Sequence, residues 1–282
     1  MMAMAPALAG TMVTPHRSLV SRFLATLIVL LAALPLLALA RPAAAADAPV
    51  VAAAATLRFA MAELAAGFKQ QTGREVRLVY GSSGVFHQQI MAGAPFQLFL
   101  SADEDYALSL ARAGKTAGKG TLYAVGRIVL VAPKNSELVV DSNLDGLRTA
   151  LARGDLRRFA IANPEHAPYG MRAEEALRHA GLWKPIEPRL VLGENVAQAL
   201  QFATVGGADG GIVALSLVRS PTFKGMGRYA LIPAGWHAPL RQRMVLMKGA
   251  GETARLFYAW LQTPAARTIL ARYGYGAPGE TR

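Results

Sequence analysis

Two serines held between glycines, Gly81-Ser82-Ser83-Gly84, stand where an apolar strand pattern (Val76 to Tyr80) gives way to a helix-like segment, Val85 to Ala92. The glycines permit a tight turn and a close approach of the backbone to a ligand. The serines fall where a helix leaves its first N–H groups without acceptors, so hydroxyls and amides converge on one small space suited to an anion. The same residues would equally serve as a plain serine-capped connection between strand and helix.

Three more connections share the pattern of strand, small polar or glycine-containing loop, then helix: Ala55-Thr56, Asn163 to Gly170, and Gly193-Glu194-Asn195-Val196. In a parallel sheet such loops gather at the carboxyl edge, where ligands bind. Hydroxyls of Thr56 and Ser83 with amides of Tyr169 and Val196 would make a site of neutral donors. Such a site holds a dianion through dipoles and hydrogen bonds and disfavours an oxyanion whose own O–H finds no acceptor.

Catalytic patterns are weaker. Gly81-Ser82-Ser83-Gly84 is not the G-x-S-x-G elbow of hydrolases. Glu165-His166 could be half of a dyad or a pair of metal ligands, but there is no H-E-x-x-H and no cysteine. A histidine beside a proline loop more often packs the loop. Tyr123, Tyr169 and Tyr229 lack the adjacent pairing expected of a ferric-ion site, and Glu174-Glu175 reads as a solvated helix face.

Alternating strands and helices must carry these loops. Val50 to Ala55 reads as a buried first strand, with Thr56 as N-cap of a helix from Leu57 to Gln71 whose apolar face holds Leu57, Ala60, Met61, Leu64, Ala65 and Phe68. Phe96 to Leu100 is a further strand, and Ser101-Ala102-Asp103-Glu104 a helix start. Arg127 to Pro133 is a strand crossing into a second lobe. There Leu144 to Arg153 and Met171 to Gly181 are helices, and Phe159 to Ala162, Leu190 to Asn195 and Gly210 to Val213 are strands. Arg243 to Met247 carries the chain back, followed by helices at 251–262 and 264–272. Short connections between alternating elements imply an α/β fold of parallel sheets with right-handed crossovers.

The first 46 residues differ from the rest. His16, Arg17 and Arg22 precede an apolar run from Phe23 to Ala40, and an alanine-rich exit ends before Asp47. This describes a secretory signal peptide cut after Ala46; an uncleaved anchor is the alternative, because the run nearly suffices to span a bilayer. The 236 residues that follow are ample for a core without disulfides, and the absence of cysteine removes the acceptor of a lipid anchor. A released, periplasmic protein is expected. Three of the 30 Lys and Arg lie in the signal, leaving 27 against 18 Asp and Glu and a net charge of +9. The basic residues form no run and are not interleaved with aromatics, so nucleic acid is not expected as a partner.

Taken in order, Ala-Ala-Ala-Thr-Leu, Gly-Ser-Ser-Gly, Ala-Gly-Ala-Pro with Leu-Phe-Leu-Ser-Ala-Asp, Pro-Glu-His-Ala-Pro-Tyr-Gly, Glu-Asn-Val and Gly-Ile-Val resemble the periplasmic molybdate-binding proteins of ABC transporters. The resemblance runs from about Val50 to Tyr275. It implies a two-lobed periplasmic binding protein of mainly parallel sheets flanked by helices and joined by two crossover strands. Lobe 1 would comprise 47–128 and 244–282, and lobe 2 would comprise 129–243. It also implies a monomer that captures molybdate or tungstate for an inner-membrane ABC permease, without enzymatic activity or cofactor. Carried over position by position, the molybdenum oxyanion's donors fall on Thr56, Ser83, Tyr169 and Val196. Where some members have Gly-Ile-Val-Tyr, this chain has Gly211-Ile212-Val213-Ala214, so one hydroxyl is missing or is replaced by Ser216 or the side chain of Tyr169. Alternatives are another oxyanion such as sulfate, a small carboxylate, a secreted hydrolase using Ser82 or Ser83, or an anion sensor feeding a receptor.

Overall fold

A computed structural model describes residues 48–279. The expected signal peptide lies outside the described residues. Among these, no helix is long and apolar enough to cross a membrane.

Two mixed five-stranded sheets, each flanked by helices, form the two lobes. In the first, β1 (Val50–Ala54) lies between β2 (Arg77–Gly81) and β3 (Leu98–Ser101), all parallel. Chain continuity supplies the crossovers: α1 (Arg58–Thr72) joins β1 to β2, and α2 (Ser83–Met91) joins β2 to β3. After α3 (Glu104–Arg112), β4 (Thr121–Gly126) forms the far edge. Arg127 then leads straight into β5 (Ile128–Pro133), a strand of the second sheet.

That sheet places β6 (Phe159–Ala162) parallel to β7 (Leu190–Gly193) and β8 (Gly210–Ala214), with β5 and β9 (Gly227–Leu231) antiparallel beyond them. Its helices include α4 (Asp145–Arg153), α5 (Pro168–His179), α6 (Trp183–Ile186), α7 (Val196–Thr204) and the single turn α8 (Leu215–Val218). Residues 232–239 return the chain to the first sheet as β10 (Leu240–Leu246), antiparallel between β3 and β4. Helices α9 (Glu252–Trp260) and α10 (Pro264–Arg272) finish that lobe.

Patterning explains which faces are buried. The inner strands β3 and β6 are buried at every position, as strands covered on both faces must be. Helix α1 buries Ala60, Met61, Leu64 and Phe68, and the Phe68 ring packs against Phe257 of α9 with centroids 5.0 Å apart.

Several boundaries depart from the sequence reading. Strands β4 and β9 were not anticipated, because their pairings are antiparallel edges. The return strand starts at Leu240 rather than Arg243, so residues 240–243, assigned to the second lobe from sequence, hydrogen-bond in the first sheet. Helix α5 starts at Pro168 rather than Met171, which puts Tyr169 in its first turn. Thr56 is not a helix cap. It sits inside a 3-10 turn, Ala55–Leu57, and its side chain caps nothing.

Candidate functional site

Four loops meet at one cavity. Ala54, Ala55 and Thr56 follow β1; Gly81, Ser82 and Ser83 follow β2; Ala167, Pro168 and Tyr169 follow β6; Asn195 and Val196 follow β7; Ala102 completes the wall. The cavity is small: about 10 Å³ is open to the centre of a water-sized sphere, close to what a single water occupies. Thr56, Ser83, Tyr169 and Val196, singled out from sequence, all line it. No Asp, Glu, His, Lys or Arg does.

The donors are set by local structure. Ser83 opens α2, and its Oγ accepts the Ala102 amide at 2.9 Å. With that lone pair occupied, the Ser83 proton is available to an acceptor in the cavity. Proline at the first position of α5 leaves the Tyr169 amide among the unpaired N–H groups of a helix start. At α7 the Asn195 side chain accepts from Ala197 and Gln198, at 3.0 and 3.1 Å, and so caps the two amides beyond Val196 rather than that of Val196 itself.

Thr56 is more heavily engaged. Its Oγ1 lies 2.7 Å from Ser216 Oγ and 3.0 Å from the Tyr275 hydroxyl, while Ser216 Oγ donates to the Thr56 carbonyl at 2.9 Å. The Tyr169 ring runs from the cavity wall towards the crossovers, where its hydroxyl accepts from Gln242 Nε2 at 3.0 Å. Tyr123 donates to Gln242 Oε1 at 2.8 Å. Burial raises the Tyr169 hydroxyl to about 12, against the opposing hydrogen bonds, and raises Tyr123 and Tyr275 well above the usual phenol value. All three stay neutral hydroxyls at physiological pH.

The substitutes considered for the absent tyrosine are thereby placed. Ala214 is fully buried at the end of β8. Ser216 reaches Thr56 instead of lining the cavity, and the Tyr169 hydroxyl points at Gln242. Sequence reasoning missed Gln242 and Tyr275. Gln242 carried a signal, because it stands between Leu240 and Met244 on the inward face of a strand, where a polar side chain requires a buried partner.

The lobes are held together beside the cavity. The His166 carbonyl accepts from the Gly84 amide at 3.0 Å and from Ser82 Oγ at 2.5 Å. On the other flank Arg172 of α5 donates to Asp103 Oδ2 at 2.8 Å, with both side chains nearly buried. Burial raises the Asp103 carboxyl, although Arg172 and the Asp105 amide oppose the shift.

His166 Nδ1 also lies 3.1 Å from Ser82 Oγ, and its Nε2 is 3.7 Å from the exposed Glu194 carboxylate. This brings together the members of a hydrolytic triad, but the Ser82 proton is directed at a carbonyl and not at the imidazole. Among the described residues, no group of three or more His, Asp or Glu is placed to hold a metal ion.

Comparisons with known proteins agree with one another. Residues 49–276 match the model of a family described as bacterial extracellular solute-binding protein. The chain is 37% identical over 216 residues to the molybdate-binding protein ModA of Rhodobacter capsulatus, covering 76% of this chain and 82% of that one. To ModA of Escherichia coli it is 35% identical over 227 residues, covering 78% and 85%. The periplasmic molybdate-binding protein of Azotobacter vinelandii superposes with a TM-score of 0.75 at 34% identity, covering 82% of this chain and 99% of that structure.

Proposed function

The chain belongs to the bacterial extracellular solute-binding proteins, within their molybdate-binding group, and from that premise we propose that it captures molybdate, and tungstate with it, between its lobes for an ABC permease. The observation that carries this reading is a small cavity lined by hydroxyls and helix-start amides and by no ionised side chain. Ser83 Oγ–H, Thr56 Oγ1–H and the amides of Tyr169 and Val196 bind the oxyanion. The positive ends of α5 and α7 add to the attraction.

Selection rests on size and protonation. Sulfate has the same charge on shorter bonds, so it would leave donors unpaired in a site that closes on the larger anion. A protonated oxyanion brings an O–H that needs an acceptor. A carboxylate would call for a guanidinium in the cavity, and none lines it.

Capture proceeds by hinge closure. The first lobe ends at Arg127 and resumes at Leu240, so the hinge is Arg127 together with residues 232–239. The protein is a periplasmic monomer, exported through residues 1–46, with no catalytic role for Ser82.

Thermal unfolding of residues 47–282 with molybdate, tungstate, sulfate and phosphate tests the reading. A ligand at a hundred times its Kd adds about 2.7 kcal/mol, a rise of roughly 5–10 °C for a chain of this size. Molybdate and tungstate alone should produce it. A rise with sulfate or phosphate instead would retain the fold and overturn the ligand.

A further inference from the structure

Gln242 is a fully buried amide on β10, the strand between β3 and β4 of the first sheet. Its two polar atoms serve different lobes. Oε1 accepts from the Tyr123 hydroxyl of β4 at 2.8 Å, a bond within the first lobe. Nε2 donates to the Tyr169 hydroxyl at 3.0 Å, and Tyr169 belongs to α5 of the second lobe. The phenol of Tyr169 therefore reaches from one lobe into the other. Gly126 of β4 makes room for its tip, because a Cβ there would lie 2.2 Å from the hydroxyl oxygen and 2.8 Å from Gln242 Nε2. An amide side chain offers an acceptor on one side and a donor on the other, and it brings no charge to the neighbourhood of an anion.

Tyr169 lines the cavity at the first turn of α5 while its hydroxyl is held by the other lobe. Two side-chain torsions separate that hydroxyl from the main chain, so holding the phenol also holds the backbone that carries the amide. We propose that Gln242 is a positioning residue for the bound anion: by keeping the Tyr169 hydroxyl in the first lobe, it sets where the Tyr169 amide stands once the lobes have closed. Gln242 does not line the cavity and acts through Tyr169 alone. Because the bond joins the lobes, its loss weakens the closed, anion-holding arrangement rather than the first lobe by itself. This inference rests on the reading of the Tyr169 amide as a ligand donor.

The test is a double-mutant cycle between Gln242→Leu and Tyr169→Phe, with molybdate affinity measured by calorimetry and stability by thermal unfolding of the ligand-free proteins. Each single substitution strands a buried polar partner, the Tyr169 hydroxyl or the Gln242 amide, and should weaken binding about tenfold. Together they set two apolar groups face to face. The Tyr123 hydroxyl keeps the Ser101 carbonyl, at 3.4 Å, as an acceptor in either background. In the Tyr169→Phe background, Gln242→Leu should therefore change affinity less than about twofold. A merely structural role would lower the ligand-free midpoint with Kd unchanged, or lower affinity by the same factor in both backgrounds, and either result overturns the positioning role. Tyr169→Phe keeps the proposal falsifiable if Gln242→Leu does not fold: it retains both Gln242 and the amide of residue 169, so wild-type affinity in that variant overturns the proposal as well. A wild-type chain that binds no molybdate would instead remove the reading of the ligand, a separate failure.

Discussion

Gly84→Ala separates the closing of the lobes from the integrity of either one. A Cβ on residue 84 would lie 2.4 Å from the His166 carbonyl oxygen and 3.0 Å from its Cα and Cβ, all on the opposing lobe. Ordinary contact begins near 3.4 Å, so the lobes must stand about 1 Å further apart at this point. Both hydrogen bonds to the His166 carbonyl, from the Gly84 amide and from Ser82, then stretch beyond useful geometry. Each contributes about 1 kcal/mol, and misplacing the Tyr169 amide adds a comparable loss. The sum is about 2–3 kcal/mol, or a ~30- to 150-fold rise in Kd for molybdate. Within its own lobe the substitution is harmless. Residue 84 lies in α2, where alanine favours the helix over glycine by up to about 1 kcal/mol. Calorimetric titration together with thermal unfolding of the ligand-free protein gives both quantities. Wild-type affinity in Gly84→Ala would refute the closed geometry, and a lowered ligand-free midpoint would show that the collision lies within a lobe.

Gly126→Ala tests the crossover in the same spirit: its Cβ would fall 2.2 Å from the Tyr169 hydroxyl and 2.8 Å from Gln242 Nε2, so binding should drop at least tenfold by titration. Adding Tyr169→Phe removes the nearest colliding atom and should restore part of that loss; no recovery would mean that the glycine serves another purpose. Ser83→Ala should cost about 1–3 kcal/mol of molybdate binding in calorimetry, because the Ala102 amide fixes its hydroxyl as a donor. A fluorophosphonate probe should leave Ser82 and Ser83 unlabelled by mass spectrometry, since the Ser82 proton is donated to the His166 carbonyl. Burial lowers His237, opposed by its bond to the Ala238 carbonyl and by Glu175 and reinforced by Arg172 and Arg127. A base lowered in the folded state keeps its contribution above the unfolded value near 6.5 and loses it as pH falls below that value. Thermal midpoints should therefore decline on acidification through this range. His237→Asn, which retains a donor at the Nδ1 position, should flatten the decline.

Local chemistry was legible and distant chemistry was not. The switch from period 2 to helical spacing located the four loops, because each is written in a dozen consecutive residues, and all four meet at the cavity. Thr56 as a helix cap was the natural reading of a hydroxyl before an apolar helical face. Its partners lie 160 and 219 residues away, beyond any spacing rule. Tyr275 lies beyond the last helix expected from sequence, and its burial depends on Val125 pairing with Gly276. Strand β10 was cut short because its first half, Leu240-Arg241-Gln242-Arg243, looks too polar for a central strand. Glu104 explains the two arginines, forming ion pairs with both Arg241 and Arg243. The lobe-to-lobe bonds of His166 and Arg172 carried no local signature, because they depend on how two separately folded sheets face each other.

The link between Thr56 and Tyr275 also bears on how such a protein comes into being. The first hydroxyl of the described residues, that of Thr56, bonds the hydroxyl of Tyr275, 219 residues later. A half-exported chain still lacks the Tyr275 hydroxyl that Thr56 bonds in the folded protein. Contacts of such long sequence separation form late in folding. The surroundings of Thr56 are thus complete only once residue 275 has been made and folded.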